Sequence, residues 1–131
     1  MIVVDASALT EMLAFAGERG EAAARALGRD VGWCAPAHWS AEVFSAIRGL
    51  TLGGHLSDAA GRQAVARIPR LAIDGVGLES LMGQMWAMRR EISGYGSAYV
   101  ALARLHGLTL VTADGRLARA AVRHCRVEAL H

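Results

Sequence analysis

The chain has 131 residues, 53% of them hydrophobic, 20% charged and 5% aromatic, and a formal net charge of +2. That length fits one domain, 1–131, able to bury roughly two-thirds of its unfolded surface without a disulfide or zinc staple, and the composition excludes disorder and collagen. No apolar run reaches the roughly 20 residues of a bilayer span and no basic segment precedes a signal-type core, so the expectation is a soluble, cytoplasmic protein with no membrane partner.

Met1-Ile2-Val3-Val4-Asp5 is a β-branched run, apolar on both faces, which predicts a buried parallel strand ending in a carboxylate. Ser7 opens a helical stretch carrying Leu9, Met12 and Leu13 on one side. A second, Ala-rich helix spans Glu18 to Leu27 and ends at Gly28. Gly32-Trp33-Cys34-Ala35 predicts a second strand, with Pro36 in the first turn of the helix that follows. That helix, Ala37 to Leu50, gathers Trp39, Val43, Ala46, Ile47 and Leu50 into an arc of about 100°. Glu42 falls at the margin of the arc, and Gly53-Gly54 ends the element.

Leu56 to Ile68 predicts a helix capped by Ser57 and stopped by Pro69; Leu71-Ala72-Ile73 predicts a weak third strand. Leu78 to Arg90 follows as a helix with Leu78, Leu81, Met82, Met85 and Trp86 on one face, broken by Gly94. Tyr95 to His106 is the next helix, with Ala98, Leu102 and Leu105 on one side and Gly107 as its stop. Leu108 to Val111 is a strong strand, followed by Thr112-Ala113-Asp114, a short helix Arg116 to Arg123, and an edge strand at Val127.

Strands alternating with helices argue an α/β fold: a three-layer α/β/α sandwich around a mostly parallel sheet. In such sheets ligands sit beyond the carboxyl ends of the strands. Asp5 and Asp114 stand just past the two best strands, and adjacent strands would place both on one rim. With Glu42 they form a trio able to converge from distant parts of the chain. Clustered carboxylates raise one another's pKa, and a hard divalent cation such as Mg²⁺ or Mn²⁺ removes the conflict. Such a site polarises a phosphodiester and activates water. Taken singly, each acid also has an ordinary role: Glu42 a solvated helix residue, Asp5 a helix cap, Asp114 a turn former.

Other chemistries fall away. There is no Lys; all 14 basic side chains are Arg. This excludes a P-loop and a Schiff-base Lys, and with Ser7 two residues after Asp5 it excludes a haloacid-dehalogenase-like phosphatase. An all-Arg basic set suits phosphate or carboxylate recognition by planar forks; the plainer reading of the bias is codon usage in a GC-rich genome. Cys34 and Cys125 are isolated free thiols, and the five His form no metal motif. Arg116, Arg119 and Arg123, spaced i, i+3, i+7, are candidates to hold the phosphates of a phosphodiester substrate, or simply a solvated face. Leu9, Met12, Leu13 and Phe15, with Leu81, Met82, Met85 and Met88, are either a docking groove and dimer seam or plain core.

Four segments carry a family resemblance: Met-Ile-Val-Val-Asp5-Ala-Ser7-Ala-Leu, Ala-Pro36-Ala-His-Trp-Ser-Ala-Glu42-Val, Tyr95-Gly-Ser-Ala-Tyr99-Val-Ala-Leu-Ala and Leu-Val-Thr112-Ala-Asp114-Gly-Arg-Leu. In order and spacing the chain resembles a PIN-domain ribonuclease toxin of the VapC type. The resemblance implies a Mg²⁺- or Mn²⁺-dependent endoribonuclease acting on structured RNA such as tRNA or rRNA, a homodimer, held inactive by a cognate VapB-type antitoxin whose tail places a basic residue among the acids. It makes Asp5, Glu42 and Asp114 metal-site acids, and Ser7 and Thr112 the hydroxyls that orient them. It also exposes two departures: Gly96 stands where the family has an acid after Tyr95, and Arg104 stands where an acid follows the Val-Ala-Leu-Ala segment. Gly96 marks either a degenerate homologue, serving as a binding module within an antitoxin–DNA repressor complex, or an inactivating change in a toxin.

Overall fold

The structure, a computed structural model, describes residues 1–130. Its centre is a five-stranded, all-parallel sheet in the order β3-β2-β1-β4-β5, built from β1 (Ile2–Val4), β2 (Trp33–Pro36), β3 (Asp74–Val76), β4 (Leu110–Thr112) and β5 (Val127–Ala129). Every residue of β1 and β4 is buried, which requires that both faces of the sheet be covered. One helical group is α1 (Ala6–Ala14), packed against α2 (Glu18–Gly28), α3 (Trp39–Leu52) and α4 (Asp58–Arg67). The other centres on α6 (Gly94–His106), which crosses β1, β2 and β4 and carries α5 (Met82–Ala87); α7 (Gly115–Ala121) lies along β4 and β5.

The α6 run Ser97–Ala103 is buried without interruption. Its small residues, Ala98, Ala101 and Ala103, let an apolar helix sit between the sheet and α5. Gly107 ends it in the left-handed conformation, φ +64°, as the sequence predicts. Gly20 has a different necessity: a Cβ there would lie 1.8 Å from the Phe15 carbonyl oxygen, so the α1–α2 turn closes only over glycine.

Several expectations need correction. The third strand is Asp74–Val76, not Leu71–Ile73. Leu71 and Ile73 pack on the core as half-buried side chains, while the edge ladder forms where Asp74, Gly75 and Val76 meet Cys34, Ala35 and Pro36. An edge strand is defined by backbone pairing, so its side chains need not be apolar. Pro36 closes β2 instead of opening the helix, and α3 starts at Trp39. The predicted helix over Leu78–Arg90 is a 3₁₀ turn at Leu78–Ser80 followed by the short α5, so wheel arithmetic fails across it. Leu81 and Met88 are buried, whereas Met82 and Trp86 are exposed at 51% and 68%. Gly94 starts α6 under a Ser93 cap and does not break anything. Leu105 is exposed, as is Ala46 on α3. Leu9 and Leu13 are core, with Met12, Phe15 and Met85 packed against them, so most of the two apolar stripes is ordinary interior.

Candidate functional site

Asp5 and Asp114 sit on one rim because β1 and β4 are hydrogen-bonded neighbours, with Val4 opposite Val111 and the Asp5 amide donating to the Val111 carbonyl at 3.0 Å. The backbone therefore brings together two residues more than a hundred positions apart. α3 runs beside α1 and adds Glu42. All three acids, with Ser7, line an open cleft of about 550 Å³.

Asp5 is 6% exposed and occupies the N-cap position of α1, yet its side chain makes no capping hydrogen bond. Instead Ser7 Oγ donates to Asp5 Oδ2 at 2.5 Å and Thr112 Oγ1 donates to the same oxygen at 2.7 Å. Each hydroxyl has one proton, and both are used there. The two hydroxyl oxygens then accept from the backbone: Ser7 from the Ala113 amide at 2.9 Å, Thr112 from the Asp114 amide at 3.0 Å. Asp5 is thus locked to the β4–α7 turn. Among the described residues its Oδ1 makes no hydrogen bond and is not sealed from the cleft. Burial raises the Asp5 pKa above its ordinary value, and the Glu42 and Asp114 charges raise it further; the two hydroxyls pull it back.

Asp114 is exposed and does cap a helix: its Oδ1 accepts from the Arg116 and Leu117 amides at 3.0 and 3.1 Å. Glu42 accepts from the buried Tyr99 hydroxyl at 2.7 Å through Oε1; burial, and after it this contact with the Glu42 charge, drives the Tyr99 pKa upward. His38 Nε2 lies 3.0 Å from the same oxygen, but off the hydrogen-bonding direction, so among the described residues neither ring nitrogen has a hydrogen-bond partner. The ring packs instead between Tyr95 and Tyr99, with centroids 5.2 and 5.4 Å away.

No Arg or N-terminal amine pairs with Asp5 or Asp114 among the described residues, and Glu42 has only His38. The donor set is all hard oxygen, which suits Mg²⁺ or Mn²⁺. Its spacing is looser than a closed cage: among the described residues no three His, Cys, Asp or Glu side chains come near enough to share one ion. Asp114 is turned partly toward the α7 amides and Glu42 toward Tyr99, and no acid stands at Gly96.

Gly96 lies in the first turn of α6, its amide donating to the Ser93 hydroxyl at 3.3 Å. A Cβ there would meet Ser93 Oγ at 2.9 Å and Leu117 Cδ1 at 3.2 Å. Arg104 does not line the cleft; it is exposed in the last turn of α6 with Nη1 3.4 Å from His124 Nδ1. Arg116, Arg119 and Arg123 are all exposed, but α7 ends at Ala121, so Arg123 leaves the predicted face and approaches Glu91 at 4.0 Å.

The PIN domain is the family description that matches, over residues 2–123. Ribonuclease VapC3 of Mycobacterium tuberculosis is 38% identical over 91% of this chain and 86% of its own; Ribonuclease VapC12 of the same organism is 34% identical over 98% of each. The chain belongs to the PIN-domain family, among its VapC ribonucleases. The fold agrees with that of a solved structure, FitAcB from Neisseria gonorrhoeae, at a TM-score of 0.60 and 19% identity over 97% of this chain and 96% of that one. Within this PIN domain, sequence reasoning misses four residues in or behind the cleft: Glu11 and Arg19 on its wall, and Tyr99 and His38 against Glu42. Tyr99 and His38 sit inside quoted segments with no assigned task, although the i, i+4 spacing of His38 and Glu42 is a visible signal. Glu11 and Arg19 are paired bidentately at 2.5 and 2.7 Å at the cleft wall, with Arg19 stacked 3.7 Å over Phe15. That pairing crosses an interhelical turn, so no local pattern announces it.

Proposed function

We propose that this PIN domain is a Mg²⁺- or Mn²⁺-dependent endoribonuclease toxin that acts in the cytoplasm on structured RNA, as a homodimer restrained by a cognate VapB-type antitoxin, with Gly96 lowering its rate. One observation carries the reading: a buried carboxylate, Asp5, is held by two hydroxyls and, among the described residues, has no basic side chain paired with it, with two further acids in the same cleft. Burying such a charge is unfavourable for the fold alone, and sites that hold like charges together are typically functional.

Asp5 and Glu42 would hold the ion, with Asp114 beside them; Mg²⁺ commonly uses only one or two carboxylates and fills its sphere with water and substrate phosphate, which a loose trio allows. When bound, the metal supplies charge neutralisation at the scissile phosphate and an activated water. The chain's own part is orientation. Ser7 and Thr112 fix Asp5 Oδ2 so that Oδ1 faces the cleft. Tyr99 fixes one oxygen of Glu42 and leaves the other for ligation. Asp114 keeps one oxygen on the α7 amides and has the second free. The absence of an acid at Gly96, together with the lack of a three-ligand cage, favours a second reading, a binding module in an antitoxin–DNA repressor complex.

Calorimetric titration with Mg²⁺ and Mn²⁺, paired with a tRNA cleavage assay, separates the two. Metal binding that Asp5→Ala abolishes, with slow cleavage suppressed by EDTA, supports the nuclease. No binding at millimolar metal, with no cleavage even by Gly96→Asp, leaves the module.

A further inference from the structure

We infer that Arg89, Arg90 and Arg116 form a phosphate-binding recess that holds an unpaired RNA strand where it leaves the acidic cleft, with Trp86 as a platform for the neighbouring base. The inference rests on the ribonuclease reading and adds to it the surface that grips the substrate. A recess of about 350 Å³ lies between the turn after α5 and the start of α7, lined by Arg89, Arg90, Ser93 and Arg116 and bounded by Asp114. Asp114 also lines the acidic cleft, so the two depressions meet at that residue. A strand whose scissile phosphate lies among the acids passes into positive charge within one step.

The charges here are free to act. Among the described residues none of the three arginines pairs with a carboxylate, and the guanidinium groups of Arg90 and Arg116 make no hydrogen bond within the chain. Glu91 also lines the recess, but its two oxygens face Arg123 and His124 at 4.0 and 2.7 Å and not the three arginines. Arg guanidinium forks match phosphate oxygens in pairs. Arg89 is different: its guanidinium lies 4.5 Å from the Trp86 ring centroid and donates to the Trp86 carbonyl at 2.9 Å. An indole that is 68% exposed is thereby braced on one face by a guanidinium. A braced, exposed aromatic beside unpaired arginines is the combination that binds single-stranded nucleic acid by stacking and backbone charge. Ser93, the cap of α6, adds a hydroxyl and the positive end of a 13-residue helix to the same wall. The helix spacing of Arg116, Arg119 and Arg123 pointed along α7; the fold instead joins Arg116 to two arginines from another segment.

Fluorescence anisotropy with a labelled single-stranded RNA of about ten nucleotides, in EDTA and across a NaCl series, tests this without cleavage. Arg90→Ala/Arg116→Ala is expected to weaken binding at least tenfold at low salt and to make the log Kd versus log salt slope shallower by about 0.7 to 1.4, one or two phosphate contacts. Trp86→Ala is expected to weaken binding roughly 5- to 100-fold with the slope unchanged. Arg62→Ala/Arg67→Ala, on the exposed side of α4, serves as the charge-matched control and should change neither beyond a general electrostatic offset. Equal losses in the control and recess variants, or an unaltered slope in the recess variant, overturn the recess. Cleavage by Gly96→Asp in the presence of Mg²⁺, measured separately, decides the ribonuclease reading, so the two can fail independently.

Discussion

The ends of β1 and β4 carry the same local pattern, a buried strand, an aspartate and a helix, yet the two aspartates live under opposite conditions. Asp114 is exposed and caps α7, so it stabilises the fold by holding two amides that would otherwise lack partners. Asp5 is buried, caps nothing, and is served by two hydroxyls that give both their protons to one of its oxygens. A fold optimised for stability alone would put a neutral side chain at Asp5 and keep Asp114. The difference teaches that the carboxylate that strains the fold, not the one that supports it, marks the working centre.

The largest effect should come from Asp5→Asn. It is expected to cut metal affinity and RNA cleavage at least 100-fold, since loss of a supporting partner alone typically costs 10–100-fold. It should also raise the Tm in EDTA by a few degrees, because a buried charge becomes a neutral amide whose oxygen still accepts from Ser7 and Thr112. The pH dependence has a definite sign. A carboxyl whose folded pKa is raised binds its proton more tightly in the folded state, so its contribution is best below the ordinary value of 3.8 and is lost as pH rises toward the raised value. In EDTA the Tm advantage of Asp5→Asn should therefore grow as pH rises through that window and then level off. An equal Tm difference at all pH values would remove the buried charge from Asp5.

Next in size is Gly96→Asp. It restores an acid where the family resemblance places one, and a 10- to 100-fold gain in Mg²⁺-dependent cleavage is expected, measured on tRNA. The gain requires that the Ser93 hydroxyl and the Leu117 methyl shift by a few tenths of an ångström, since both lie closer to the new Cβ than ordinary contact. Gly96→Ala introduces the same Cβ without the charge and separates crowding from ligation: it should leave cleavage at the level of the starting protein.

The sheet's inner half was legible because β1 and β4 are buried on both faces and so write continuous apolar runs, Ile2-Val3-Val4 and Leu110-Val111. Their adjacency follows from topology, which is why the meeting of Asp5 with Asp114 could be anticipated. The region from Leu71 to Ser93 was not legible for the converse reason. β3 has two exposed residues out of three, and α5 is a six-residue helix between turns, so neither period nor propensity dominates there. The basic recess belongs to that region. Arg89 and Arg90 acquire significance only when the chain after α5 is laid against α7. In the same way Tyr99, sixth in α6, reads as core until its hydroxyl is seen to reach Glu42 across 57 positions.

Tyr99→Phe probes that reach at smaller amplitude. The side chain is fully buried and the ring is retained, so a stability change of only about 1 kcal/mol is expected from the lost hydroxyl. Among the described residues the Glu42 carboxylate loses its one hydrogen bond and keeps the misaligned His38 contact. Metal affinity by calorimetry should fall about tenfold with the circular dichroism spectrum unchanged. A fall in Tm with no change in affinity would make Tyr99 a packing residue only.

The smallest effect is the most direct comparison of the two strand ends. Asp114→Ala removes an N-cap and is expected to lower stability by about 1 kcal/mol, while Asp114→Asn keeps an acceptor for the Arg116 and Leu117 amides and should lose only a few tenths. Urea denaturation in EDTA measures both. Asp5→Asn, at the same position relative to its helix, should move the midpoint the other way. Opposite signs at two aspartates with the same sequence context would follow only if one carboxylate is spent on the helix and the other is held in reserve for a ligand. If all three variants destabilise alike, both aspartates are caps, and the cleft loses its strongest claim to bind a cation.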